Sequence, residues 1–296
     1  MAVSGGPDSL GLLLLAHEAI PGAFEVATVD HGLRAESVLE AEAVAATCAA
    51  LGISCTILRP RVASTGNLQA NARLARYTAL GEWATDRGLA AIVTAHHADD
   101  QAETLLMRLA RGAGLRGLAG MRAVAAVPGH PGLPLIRPLL GWRKAELEVV
   151  VAQAGLIPAR DSSNANLRFE RVRVRAALAS ESWLEPVAIA ASATHLGEAD
   201  TAVDWAAVRE WNECVTADGS ALHYRPQAPR AIRLRVIERI VATLGHEGTP
   251  RGSEIARFDD ALSAGRIATL AGVRGESGLQ SWHFAPAPPR KVRLPA

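Results

Sequence analysis

At 296 residues, 49% of them hydrophobic, the chain has room for one large domain and smaller additions. A formal net charge of +1 excludes a globally basic nucleic-acid coat, so any polyanion must be met by a local patch. Cys48, Cys55 and Cys214 form no Cys-x-x-Cys spacing and no stretch approaches an apolar membrane span, which excludes a zinc ribbon, a disulfide frame and a membrane partner and points to a cytoplasmic protein.

Ser4-Gly5-Gly6-Pro7-Asp8-Ser9 opens a helical run over 10–19. Only Met1, Ala2 and Val3 precede it, where a supporting strand takes about five residues, so a start further upstream is expected. Short apolar runs predict parallel strands over 24–29, 54–58 and 91–95, and helical spacing predicts helices over 37–51 and 68–83 between them. This alternation predicts an α/β fold, a Rossmann-like parallel sheet covered by helices on both faces, with ligands at the carboxyl ends of its strands.

A helix over 99–111 follows, then a Gly-, Pro- and Arg-rich functional loop over 112–138 and a helix over 143–154 with Gly155 as its terminator. Asp161-Ser162-Ser163-Asn164 reads as a turn before a helix over 169–178. The expected domains are a catalytic domain over 1–180, a small helical domain over 181–245 and a short C-terminal segment over 246–296. In the helical domain Leu196, Val203, Trp205 and Val208 are expected to pack a small core, and strands are expected over 267–270 and 282–284. Charge is unevenly spread: residues 1–107 carry 6 Arg against 12 Asp plus Glu, whereas 108–175 carry 12 Arg plus Lys against 4 acids.

A glycine-rich loop at the start of a helix converges backbone N–H groups on an anion, and its glycines let the backbone approach without Cβ obstruction. Ser4 and Ser9 can donate to phosphate oxygens, and Asp8 can hold Mg²⁺ against them. No Walker lysine follows, and there is no Gly-x-Gly-x-x-Gly, which separates the loop from kinase-type and dinucleotide-binding loops. Taken alone, the hexapeptide reads equally well as a tight turn with Asp8 or Ser9 capping a helix.

Ser-Gly-Gly-x-Asp-Ser resembles the pyrophosphate loop (PP-loop) of the N-type ATP pyrophosphatases, whose fold is adenine nucleotide alpha hydrolase-like. Val29-Asp30-His31-Gly32-Leu33-Arg34, the stretch from Thr94 through His96-His97-Ala98-Asp99-Asp100-Gln101-Ala102-Glu103 to Thr104, and Arg137-Pro138-Leu139-Leu140 resemble the tRNA(Ile)-lysidine synthase family within that group. The likeness spans residues 1 to about 180. It implies a ligase that uses ATP and Mg²⁺ to adenylate the wobble cytidine of an isoleucine tRNA with a CAU anticodon, then joins L-lysine to its C2. It also implies that Ser4, Gly5, Gly6, Pro7, Asp8 and Ser9 hold the phosphates, that Asp30, His31 and His96 contact the nucleotide or base, and that Asp8 is the metal ligand. A homodimer is an allowed assembly.

The second half-reaction needs a bound amine that loses a proton, which calls for carboxylates, and Asp100 and Glu103 lie three apart at the start of a helix beyond the third strand. Asp99 is better read as a capping residue, and His97 as a strand-end histidine or a partner of phosphate or base. Asn67, Gln69, Arg73, Arg76 and Tyr77 resemble a family helix with Gln69 in place of its acid, and the stretch from Arg168 through Arg171 to Arg175 resembles the family's Arg-Asn-x-x-Arg helix, with Glu170 and Val172 breaking its pattern. Arg73 and Arg171 join Asp8, Asp100 and Glu103 as expected catalytic residues; the alternative for the arginines is a solvated basic face. Trp142 suits stacking on a base or packing at a helix entry.

The competing readings are another PP-loop adenylating tRNA-modifying enzyme and an RNA-binding module with the loop kept as scaffold. Thiolating relatives call for thiol chemistry that the three cysteines do not suggest, and binding alone does not require both the loop and the acid pair.

Overall fold

The computed structural model describes every residue except 33–35, 160–167, 169, 279 and 289–296, and the side chain of residue 36. The expectations on Leu33-Arg34 and on Asp161-Ser162-Ser163-Asn164 lie outside the described residues. The chain divides into two units, Met1–Gly197 and Glu198–Ala296.

In the first unit β1 (Val26–Val29) runs parallel to β2 (Cys55–Leu58), and β3 (Ile92–Val93) runs parallel to β5 (His130–Ile136), which pairs antiparallel with β4 (Val124–Val127). Residues 1–3 join the two ladders: Ala27 N–H donates to Met1 O at 2.8 Å, Val3 N–H to Ala27 O at 3.0 Å, and Ala2 N–H to Val93 O at 2.9 Å. The three residues before the glycine loop therefore lie at the centre of the sheet, held by a neighbour on each side. The chain leaves this strand toward β1 on one side and returns as β3 on the other, so the loop sits at a topological switch point, where open α/β sheets bind ligands.

Two cores fix the faces. Leu10, Leu12 and Leu13 of α1 (Pro7–Ala19), Val44 and Cys48 of α2 (Glu36–Ala50), and Leu147 and Val151 of α6 (Lys144–Gln153) share one cluster; Tyr77, Leu80 and Trp83 of α3 (Leu68–Asp86) pack with Ile92 and Leu135 in another. A Cβ on Gly11 would meet Leu147 Cβ at 3.1 Å, so glycine sets the close approach of α1 to α6. The first unit also holds α4 (Ala98–Leu109), α5 (Leu115–Leu118) and α7 (Glu170–Ser180), while α8 (Pro186–Cys214) runs on into the second. The loop expected over 112–138 folds instead into α5 and the β4–β5 hairpin. Pro128 and Gly129, the latter with φ 83°, turn the hairpin, while Leu133 and Leu135 pack against α3.

The second unit corrects the expectation of a helical domain with a separate tail. It is a five-stranded antiparallel sheet, ordered β6 (Val215–Asp218), β7 (Ala221–Tyr224), β10 (Trp282–Pro286), β9 (Val273–Ser277), β8 (Ala268–Leu270), with α9 (Arg230–Leu244) and α10 (Gly252–Ser263). Pairing of β7 with β10 places the expected segments 181–245 and 246–296 in one sheet. The Ala-rich periodicity of α8 masks the β6–β7 hairpin, although Asp218-Gly219 between two apolar runs is a hairpin signal. Its core is built from Tyr224, Ile237, Ile240, Leu262 and Phe284, whereas Trp205 is 63% exposed and Val208 is also exposed, so the expected four-residue core is not formed. Among the described residues no helix is long and apolar enough to cross a membrane.

Candidate active site

Gly5 has φ 82°, in the left-handed region, and a Cβ there would lie 3.2 Å from Val44 Cγ2, so the loop turns against α2 only with glycine. Gly6 is the N-cap of α1 and offers no side-chain cap, while Pro7 stands in the first turn. The helix therefore begins with N–H groups that have no side-chain acceptor, a geometry that favours anions. The Ser9 hydroxyl donates to Gly6 O at 3.0 Å, accepts from the Ser4 N–H at 3.1 Å and lies 3.2 Å from Ser4 Oγ. Ser9 is thus turned inward as a brace, and Ser4 is exposed at the loop's surface.

Asp8 Oδ1 is buried and has no hydrogen-bond partner among the described residues, while Oδ2 lies 3.6 Å from His97 Nε2. His97 caps α4: its N–H donates to Asp100 Oδ2 at 3.2 Å, and its ring, 3% exposed, stands 3.5 Å from Asp100 and 3.6 Å from Asp99. Burial pushes this imidazole down, but the carboxylates of Asp8, Asp99 and Asp100 outweigh it and hold His97 up at about 9. The ring is therefore an imidazolium, and the 3.4 Å approach of the Asp100 N–H to Nδ1 is a contact rather than an accepted bond. Asp99 looks away from the loop, taking the Arg143 guanidinium at 3.1 and 3.2 Å and the Lys144 N–H at 2.8 Å. It caps the start of α6 rather than of its own helix. Burial raises its carboxyl, but His97, the Lys144 N–H and Arg143 together hold it well below the usual carboxylate range.

Asp100 and Glu103 face α7. Arg171 reaches Asp100 at 2.7 Å and Glu103 at 2.5 Å, and Arg175 reaches Glu103 at 2.6 Å. Glu103 is 1% exposed, a buried carboxylate made tolerable by two guanidinium groups. Arg175 also feels Asp8, so loop, acid pair and α7 form one charged network.

At the end of β1, Asp30 accepts from the Ser37 hydroxyl at 2.6 Å and the Gly32 N–H at 2.9 Å, which lower its carboxyl, and Arg59 lies 3.5 Å from its other oxygen. Burial and then Arg76 lower His31, whose Nδ1 is buried without a partner. At the end of β3, Thr94 Oγ1 lies 2.9 Å from His96 Nδ1. Burial drives His96 down to about 4, with Arg137, Arg73 and Arg171 adding to it against Asp100, so this ring is neutral beside a charged neighbour in sequence.

Asp8, Asp100, Glu103 and Arg171 thus meet in one network, and His31, Arg73 and His96 lie beside it with Arg76 and Arg137. Sequence names His97, Arg137 and Arg175 only as members of motifs; that His97 is the hub, that Arg175 pairs with Glu103 and that Arg137 is buried come from the fold, and the one local signal for His97 is its position before an acid-rich first helical turn. Much of the basic stretch is absorbed internally. Arg108 donates to the carbonyls of Gly117 and Gly120, Arg143 pairs with Asp99 and Glu185, and Arg111 pairs with Glu170. Trp142 is exposed at the entry to α6, its carbonyl accepting from the Ala98 N–H at 2.8 Å.

The raised value of His97 has a stability consequence. A group bound more tightly to its proton when folded contributes fully below its ordinary 6.5 and loses that contribution as pH rises through about 9. At pH near 6, His97→Asn should cost roughly 3 kcal/mol by this linkage, and the gap should narrow in alkaline solution. Denaturant midpoints across pH read this directly, and equal midpoints for the two chains near pH 6 would remove the imidazolium.

A glycine loop at the switch point of a parallel sheet, with uncapped helix N–H groups and an acid in the first turn, defines the PP-loop class of ATP-binding domains. The PP-loop domain family matches residues 1–182. The chain is 53% identical to a tRNA(Ile)-lysidine synthase of Novosphingobium aromaticivorans, over 97% of its own length and 88% of the relative's. It is 39% identical to one of Zymomonas mobilis, over 98% and 89%. The chain belongs to the tRNA(Ile)-lysidine synthase family, with a PP-loop domain that binds ATP. A U34-tRNA thiolase of Methanococcus maripaludis shares the fold, with a TM-score of 0.56 at 18% identity over 67% of this chain and 71% of that one.

Proposed function

We propose that this chain joins L-lysine to C2 of the wobble cytidine of a CAU-anticodon isoleucine tRNA, by way of an adenylated base and with release of pyrophosphate and AMP. The observation that carries the reading is the meeting of the phosphate loop and the Asp100–Glu103 pair through His97 at one sheet edge, in a chain 53% identical to a synthase of that name.

The uncapped N–H groups of α1, with Ser4, take the outer two phosphates of ATP, while Ser9 keeps the loop in shape. Asp30 and His31 face the adenosine side. Among the described residues no group of three or more His, Cys, Asp or Glu is arranged to cage a metal. Mg²⁺ is commonly held by one or two carboxylates together with phosphate oxygens, and the unpartnered Oδ1 of Asp8 fits that demand. Bound there, the ion would neutralise phosphate charge as pyrophosphate leaves.

The cytidine C2 oxygen attacks the α-phosphorus and the bond to the β-phosphate oxygen breaks. The lysine amine then attacks C2, the C2–oxygen bond breaks, and AMP departs with that oxygen. Asp100 and Glu103 retain lone pairs beyond those used by Arg171 and Arg175, and hold the incoming ammonium and take its proton. Arg171 and Arg175 hold both acids in place. His96, neutral and anchored on Thr94, faces the base.

Pyrophosphate release should be negligible with ATP alone, appear with tRNA, and become catalytic with AMP release once lysine is added. ADP as the product, or release indifferent to tRNA, would overturn the proposal.

A further inference from the structure

On the α3 side of the sheet edge three arginines gather with no acid paired to them among the described residues. The Arg73 and Arg76 guanidinium carbons lie 4.9 and 5.6 Å from the centroid of the buried Tyr77 ring. Arg137, at the end of β5, is 8% exposed; it donates to Arg122 O at 2.6 Å, contacts Tyr77, and its Nε is buried with no partner. Its charged neighbour is Arg73, which also neighbours Arg76, and among the described residues none of the three is paired with a carboxylate. Burial lowers both Arg76 and Arg137. Grouping cations under these conditions is unfavourable unless an anion joins them. The neutral rings of His31 and His96 border the group and add hydrogen-bonding capacity without a competing negative charge.

We propose that Arg73, Arg76 and Arg137 form a receptor for a phosphodiester of the single-stranded RNA that delivers its base to the phosphate loop. This rests on the proposed function and names a substrate contact within it. Guanidinium forks match phosphate oxygens bidentately. The outer ATP phosphates are assigned to the front of α1, which packs on one face of the sheet, whereas these arginines belong to the α3 face. A second anion is therefore needed, and RNA carries a phosphodiester on each side of the target base.

The test is binding of a CAU anticodon stem-loop to the full chain across a salt series, with ATP affinity measured separately. Arg73→Gln removes an exposed side chain that makes no hydrogen bond to the backbone, and Arg137→Lys probes the buried member. Arg73→Gln should weaken RNA binding roughly 10- to 100-fold and flatten the salt slope by about one, whereas Arg137→Lys, which keeps the charge and loses the bidentate fork, should weaken binding with the slope retained; ATP affinity should be unaltered in both. Making the phosphodiesters that flank the cytidine neutral methylphosphonates should weaken the parent to the same degree and add little to the Arg73→Gln loss. Unchanged RNA affinity and slope in both variants, or a loss confined to ATP, would overturn the receptor while leaving lysidine formation by the parent intact. A parent that neither binds the stem-loop nor releases pyrophosphate with tRNA would instead remove the functional reading, and the receptor with it.

Discussion

Asp8→Ala should abolish pyrophosphate release to within detection, a loss of at least about 10³-fold, while the stem-loop still binds. Asp8 is the only acid in the loop, and the oxygen not facing His97 is buried and, among the described residues, unpartnered, which leaves it open to a cation. Removing a single electrostatic contact to a transition state costs about 10²–10³ in rate; here the variant loses both the proposed metal ligand and one of three carboxylates around His97. Asp8→Asn keeps the shape and discards the charge, so it should be nearly as inactive. Either variant turning over within about tenfold of the parent would place Asp8 away from the phosphates.

Glu103→Gln should raise the lysine concentration for half-maximal turnover roughly 10- to 100-fold, the value of a hydrogen bond to a charged group, and shift the ATP requirement far less. Breaking a fully buried pair costs about 3–5 kcal/mol. Here the two partners, Arg171 and Arg175, are 44% and 38% exposed and can turn to water, so the stability cost should be nearer 1 kcal/mol. The split separates a binding role from a scaffold role. A scaffold residue would lower the unfolding midpoint and affect both substrates alike, and an unaltered lysine dependence would rule out the ammonium site.

Much of the first unit was legible because its signals are local. The helix expected over 68–83 forms as Leu68–Asp86, and that over 143–154 as Lys144–Gln153, since a period of 3.6 and a terminating glycine are properties of consecutive residues. The β4–β5 hairpin was illegible: proline and glycine dominate its composition, and only the neighbouring β3 and α3 make its apolar residues a strand. The sheet of the second unit joins β7 to β10 across some 60 positions that no local pattern links. Likewise, hydrophobicity alone marks Trp205 of α8 as a core residue, yet it is exposed.

By itself the sequence determined the phosphate loop, the alternation that carries it and the acid pair three residues apart on one helix, because each is a matter of residue type at short spacing. Tertiary structure alone decided partnership: that His97 is charged and His96 neutral, that Asp99 serves α6, that Glu103 meets arginines 68 and 72 positions away, and that Arg137 is paired with no acid among the described residues. Charge state and ion pairing depend on burial and on groups brought together from distant parts of the chain, and neither quantity exists until the chain is folded.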